Sequence, residues 1–246
     1  MRKIRSIIVD DEELARSIVH EFLTPHSDIE IIAECSNGFE AVKAITELKP
    51  DLVFLDIQMP KLNGFEVLEL VDKNLSVVFV TAYDQYAVKA FEVHAVDYLL
   101  KPFTKERFDE ALERARQKVA RNESFPLSEV VADARAPDVP LERVLVRDGS
   151  RVHVIPVDKI DYVEAQDDYI AIRFEGKTHL KQQRLSVLES SLDRKRFVRI
   201  HRSFILNVER LARIELYAKD SRMAILKDGT KLPVSRAGYE KLKGLL

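Results

Sequence analysis

The feature that most constrains this chain is an alternation over its first 120 residues. Short apolar runs take turns with stretches of helical spacing. The runs KIRSIIVD (3–10), IEIIAEC (29–35), DLVFLD (51–56), SVVFVTA (76–82) and AVDYLL (95–100) have strand length. ELARSIVHEFL (13–23), FEAVKAITEL (39–48), FEVLELVD (65–72), QYAVKAFEV (85–93) and ERFDEALERARQKVAR (106–121) follow them one by one, with apolar residues every three or four positions. Strands this apolar have no face to spare for water, and parallel neighbours need a crossover, which the helices supply. The pattern therefore predicts a doubly wound parallel (βα)5 sheet covered on both faces. Ligands of such sheets bind at the carboxyl ends of the strands, so those ends carry the functional question.

The ends are chemically unusual. The first strand runs into Asp10 and Asp11, the third ends in Asp56, the fourth in Thr81, and the fifth is followed by Lys101 and Pro102. Any one of these acids alone reads as a turn residue or helix cap. Together, three carboxylates at one edge repel unless a cation sits among them, and hard oxygen ligands with open positions suit Mg²⁺ or Mn²⁺. With a lysine and a hydroxyl nearby, the set can accept a phosphoryl group. Metal and lysine neutralise charge on the transferred oxygens, and Asp56 is the nucleophile.

The second half of the chain has a different composition. Residues 1–119 hold 15 basic and 22 acidic side chains, a net of −7, whereas residues 141–246 hold 22 and 15, a net of +7. Between them, 120–140 carries Pro126, Pro137 and Pro140 and no sustained period, which predicts a linker. Residues 143–182 alternate apolar and polar, with turns at Asp148-Gly149 and Glu175-Gly176 and a further one at Asp228-Gly229. QRLSVLESSLD (183–193) reads as one short helix and RAGYEKLKGLL as a last one, while 197–216 reads as extended, in competition with a helix over 203–212. The expectation is a mostly β domain with a short helix. A basic domain without helix-turn-helix, zinc-finger or zipper patterning must present loops and strand ends if it meets DNA. Lys181, Gln182, Arg184, Arg199, His201, Arg202 and Arg236 are the candidate readers, because arginine suits guanine and amides suit adenine.

Two resemblances follow from these segments. VDDEE (9–13), FLDIQMPKLNG (54–64), VTAY (80–83) and DYLLKPF (97–103) make residues 1–119 similar to a two-component receiver domain of flavodoxin-like fold. The resemblance implies that Asp56 takes phosphate from a sensor histidine kinase. It implies that Asp10, Asp11, Asp56 and the Gln58 carbonyl hold Mg²⁺, that Thr81 and Lys101 contact the phosphoryl group, and that Tyr98 is the aromatic switch. IDYVEAQDDYIAI (160–172), FVRIHRSFILN (197–207) and LPVSRAGYEKL (232–242) make residues 141–246 similar to a LytTR DNA-binding domain. That family is ten-stranded, and its loops enter successive major grooves, usually at direct repeats. Asp168 and Tyr169 match its first DNA-facing loop, Arg202 and Arg236 its second and third reading positions, and Lys181 and Gln182 plausible backbone contacts, with Asn207 as a structural turn residue.

The chain thus reads as a transcriptional response regulator of the LytR/AlgR family, not an enzyme. Phosphorylation is expected to favour a homodimer through the 84–119 face, which then binds promoter DNA. The rival readings are an output domain for protein or RNA, and a catalytic second half. The latter lacks a recognisable nucleophile-base pair, Gly-rich phosphate loop or metal spacing. A lone Cys35 excludes an internal disulfide, and no run of about 18 apolar residues is present to span a membrane. With no signal-peptide pattern at the N-terminus, the expected location is the cytoplasm.

Overall fold

The computed structural model describes residues 2–71, 75–87, 90, 94–121, 141–149, 151–218 and 221–245. The chain forms two compact units, 1–134 and 135–246.

In the first unit, β1 (Ile4–Val9), β2 (Ile29–Cys35), β3 (Leu52–Leu55), β4 (Ser76–Thr81) and β5 (Asp97–Leu100) form one sheet in the order β2-β1-β3-β4-β5. Every pairing is parallel. All residues of β3 and β4 are buried, as expected for central strands with helices on both faces. Helices α1 (Glu13–Leu23), α2 (Gly38–Leu48), α3 (Gly64–Leu70) and α4 (Lys105–Arg121) connect or follow the strands. One core joins Ile8, Phe54 and Val80 of the sheet to Val19 and Leu23 of α1 and Phe108 and Leu112 of α4.

Local chemistry sets the helix starts nearest the functional edge. Asn37 caps α2 by accepting from the Glu40 N–H at 3.0 Å. Asn63 and Glu66 form a reciprocal capping box at the start of α3, each accepting at 2.9 Å from the other's backbone N–H. Gly64 is obligatory there, because a Cβ would stand 2.4 Å from the Asp56 carbonyl. The helix expected over 85–93 lies largely outside the described residues, among which Asp84–Tyr86 form a 3₁₀ turn and Ala87 and Ala90 are helical. Most of the expected linker, from 122 to 140, also lies outside them.

The second unit has ten strands among the described residues. β6 (Arg143–Asp148) and β7 (Arg151–Pro156) form a hairpin. β8 (Ile160–Gln166), β9 (Tyr169–Phe174), β10 (Lys177–Gln182), β11 (Phe197–His201) and β12 (Phe204–Asn207) form a sheet in the order β10-β9-β8-β12-β11. β13 (Leu211–Ala218), β14 (Ser221–Leu226) and β15 (Lys231–Val234) form a meander. Helices α5 (Leu185–Ser191) and α6 (Arg236–Lys243) complete it.

Period-2 alternation explains the layering. Val163 and Ile205 enter a core with the β6–β7 hairpin and α5, while their neighbours Tyr162 and Leu206 enter a second core with the meander and α6. The five-stranded sheet is therefore the middle layer. The glycine turns form as expected, with both Glu175 and Gly176 left-handed at φ 49° and 72°. The competing helix over 203–212 does not form. Asn207, fully buried, donates to the Ile160 carbonyl at 2.8 Å and accepts from the Glu209 N–H at 3.1 Å, ending β12 in a tight turn.

Candidate functional site

At the carboxyl edge of the parallel sheet, Asp10, Asp11 and Asp56 bring one carboxylate oxygen each within 4.8 Å of the others. Asp10 and Asp56 are buried, and Asp11 is exposed at the rim. The order of the strands produces this meeting. β1 lies beside β3, so the residues that follow Val9 and Leu55 emerge together at the point where the chain switches sides of the sheet. Lys101 arrives from β5, its N–H bonded to the Thr81 carbonyl at 2.8 Å and its ammonium 2.6 Å from Asp10 Oδ2.

Burial dominates the electrostatics. Loss of water pushes the Asp56 carboxyl up to about 6. The Lys101 charge opposes that shift, and Asp10 reinforces it. Burial also raises Asp10, against the pull of Lys101. Asp56 Oδ1 accepts from the Ile57 N–H at 2.8 Å. The Thr81 hydroxyl, fully buried, lies near enough to Asp56 to lower its pKa, but among the described residues no acceptor meets it with hydrogen-bond geometry. A buried hydroxyl without a partner costs on the order of 1–3 kcal/mol, so it marks a place where an acceptor is wanted. The donor set is all oxygen and suits a hard divalent cation, and the orphan hydroxyl and the lysine suit a bound anion.

Gln58 lies at the exposed rim, its side-chain amide donating to the Tyr86 hydroxyl at 3.2 Å. Tyr98 is half-buried beside Phe79, and its hydroxyl donates to the Tyr83 carbonyl in the loop after β4. Burial first, then Asp84 and Asp56, push that phenol up to about 12, so it remains a donor. Next to it, Asp97 accepts from both Arg107 and Arg114, at 2.6 and 2.7 Å, which ties β5 to α4 within the chain.

In the second unit, the candidate readers gather at one end. Gln182 pairs with Tyr169 across β10 and β9, and Tyr169 pairs with Gln166 across the two-residue turn that holds Asp168. The next strand-end contact is the Ala165 N–H to the Ser203 carbonyl, 2.8 Å, which brings in the turn carrying Arg202. The Ile200 carbonyl then accepts from both the N–H and the hydroxyl of Ser235, at 2.8 and 3.0 Å. Ser235 also caps α6, whose first residue is Arg236. Tyr169, Gln182, Arg202 and Arg236 are exposed. The guanidiniums of Arg202 and Arg236 make no hydrogen bond or ion pair among the described residues.

Three other candidates carry contacts within the chain. Lys181 faces the β6–β7 hairpin and donates to the Leu145 carbonyl at 2.9 Å, because strand alternation turns it away from its exposed neighbours Leu180 and Gln182. Arg199 bonds Glu189 at 2.9 Å and the Arg202 carbonyl at 2.7 Å, so it holds the reading turn. His201 Nδ1 accepts from the Ser203 N–H at 3.2 Å, within the same turn. Sequence reasoning missed Gly238. Its Cβ would stand 2.0 Å from the Ile200 carbonyl, so only glycine lets α6 sit against β11. The legible signal was a glycine three residues after a serine at a helix start.

A family model described as a response regulator receiver domain matches residues 7–113, and one described as a LytTr DNA-binding domain matches residues 150–246. The sensory transduction protein LytT of Bacillus anthracis is 34% identical over 250 residues, covering 99% of each chain. The transcriptional regulatory protein BtsR of Salmonella typhi is 37% identical over 243 residues, covering 98% of each. Among solved structures, the response regulatory domain of protein mrkE from Klebsiella pneumoniae is 32% identical and covers 48% of this chain and 98% of that one, with a TM-score of 0.45.

Proposed function

Because the chain belongs to the response regulators that carry an N-terminal receiver domain and a C-terminal LytTR DNA-binding domain, we propose that it is a transcription factor switched by phosphorylation of Asp56. Its partner is a sensor histidine kinase and its target is promoter DNA, in the cytoplasm. The working boundaries are 1–119 for the receiver, 120–140 for the linker and 141–246 for the DNA-binding domain. Among the described residues, no helix is long and apolar enough to cross a membrane.

The observation that carries this reading is the convergence at one sheet edge of three carboxylates, Lys101 and the unpartnered Thr81 hydroxyl. Asp10, Asp11 and Asp56, with the Gln58 carbonyl, would hold Mg²⁺, which neutralises charge on the phosphoryl oxygens. An Asp56 oxygen attacks phosphorus, the P–N bond to the kinase histidine breaks, and its electron pair stays on the imidazole. Lys101 shifts its ammonium from Asp10 toward a phosphoryl oxygen, and Thr81 donates to another. Drawing Thr81 toward the phosphate frees space in which Tyr98 turns inward and leaves the Tyr83 carbonyl. The added charge can act only by favouring one of two accessible states, and the state favoured is the one whose 84–119 face dimerises. Two DNA-binding domains then meet adjacent direct repeats, with Asp168, Tyr169, Gln182, Arg202 and Arg236 at the duplex.

The test is a pull-down of fragmented genomic DNA from the source organism by the full chain with Mg²⁺, with and without beryllofluoride. A shared repeat enriched more strongly with beryllofluoride is expected. Enrichment indifferent to it would remove the switch, and no enrichment would move the output to protein or RNA.

A further inference from the structure

The strand ends that gather the candidate readers continue past Arg236. Val234, two residues before it, pairs with Arg222 of β14, and Arg222 pairs with Leu216 of β13. Leu216 is therefore level with Val234 two strands away, and Tyr217 stands at the register shift between Leu216 and Ala218. Leu216 and Tyr217 are 74% and 78% exposed, and no contact to the Tyr217 ring or hydroxyl is made among the described residues. Alternation would turn one of two consecutive strand residues into the core. Here the pairing register shifts between Leu216 and Ala218, and both stand clear. The surrounding charges are mixed. Arg236 is exposed, Arg222 lies 4.1 Å over the Tyr239 ring, and Glu215 is paired with Arg213 at 2.7 Å.

An apolar pair of this size in the sheet that leads into Arg236 has one matching feature on duplex DNA. Base edges are polar except for the thymine methyl. We propose that Leu216 and Tyr217, near the end of β13, are a further DNA-contacting element that covers thymine methyl groups next to the base pairs facing Arg236. It rests on the DNA reading above. It adds a specificity-determining contact to a strand that the reading loops leave out.

The experiment is selection from a random duplex library by the full chain, followed by affinity measurement on the selected duplex. The double variant Leu216→Thr/Tyr217→Thr keeps strand-forming residues at exposed positions, so the fold persists, checked by thermal denaturation. It is expected to bind the selected duplex about tenfold more weakly, the loss of roughly two methyl contacts, with an unchanged salt slope because no counterion is involved. Replacing the selected thymines beside the Arg236 position by deoxyuridine should weaken the wild-type chain equally and leave the variant unmoved. Equal binding by variant and wild type, or indifference of the wild type to deoxyuridine, overturns the proposal. So does a variant that loses self-association in the absence of DNA, which would make the pair a protein contact. If the wild-type chain selects no sequence at all, the DNA reading itself fails.

Discussion

At the scale of single residues, the functional groups are held in states that cost stability. Asp56 binds its proton more tightly in the folded chain, up to about 6, than in the unfolded one, where a carboxyl titrates near 3.8. The folded state thus carries the extra proton between those values, and stability contributed by that proton is lost as pH rises through about 6. Asp56→Asn removes the buried charge. Without divalent cations, it should stabilise the chain by about 1–3 kcal/mol at pH 7.5 and by little at pH 4, read by urea denaturation at both pH values. The same variant should incorporate no phosphate from a small phosphodonor. Lys181 argues the opposite way. Its ammonium is spent on the Leu145 carbonyl, so Lys181→Met should cost about 1 kcal/mol of stability and leave the salt slope of DNA binding unchanged. A slope lowered by about one ion would return Lys181 to the phosphate backbone.

At the scale of elements, two glycines and two caps decide where the sites are. Gly64 lets α3 start against the Asp56 carbonyl, and Gly238 lets α6 start against Ile200. A methyl group at Gly238 would push α6 off β11 and carry Arg236 with it. Gly238→Ala should therefore cost about 1–3 kcal/mol in stability. It should also weaken binding to a selected duplex more than binding to a random one, measured by titration of both. Equal weakening would mean that α6 supports the fold without positioning a reader. The elements themselves were largely legible. Among the described residues, strands and helices of the first unit follow from apolar periodicity to within two residues, β5 beginning at Asp97 where Ala95 was expected; the helix expected over 85–93 lies largely outside them. Residues 203–212 were ambiguous because SFILNVERLA satisfies both periods over a short span. The buried hydrogen bonds of Asn207, made to a strand 47 residues away, settle it in favour of strand.

At the scale of the whole molecule, the acidic and basic halves correspond to two separately folded units. In the proposed function, the receiver acts on the DNA-binding domain by changing how many copies meet. Beryllofluoride with Mg²⁺ should raise affinity for a duplex carrying two direct repeats by about 10²-fold and leave affinity for a single half-site unchanged, because pairing supplies effective concentration and no new base contact. Gel-shift titrations of both duplexes, alongside sedimentation of the free protein, check this. A half-site affinity that rises in parallel would place the change inside the DNA-binding domain.

The sequence by itself determined the two-part organisation, the parallel sheet, and the identities of Asp10, Asp11, Asp56, Thr81 and Lys101, because each is encoded locally, in a period or at a strand end. The tertiary structure alone decided which side chains act together and which are already engaged. It showed the Thr81 hydroxyl buried without a partner among the described residues, and Lys181, Arg199 and His201 already bonded within the chain. It also set Leu216 level with Val234, two residues before Arg236. The physical reason is that an exposed arginine and one bonded to a distant carbonyl look alike along the chain. Hydrogen bonds and strand register between remote segments separate them.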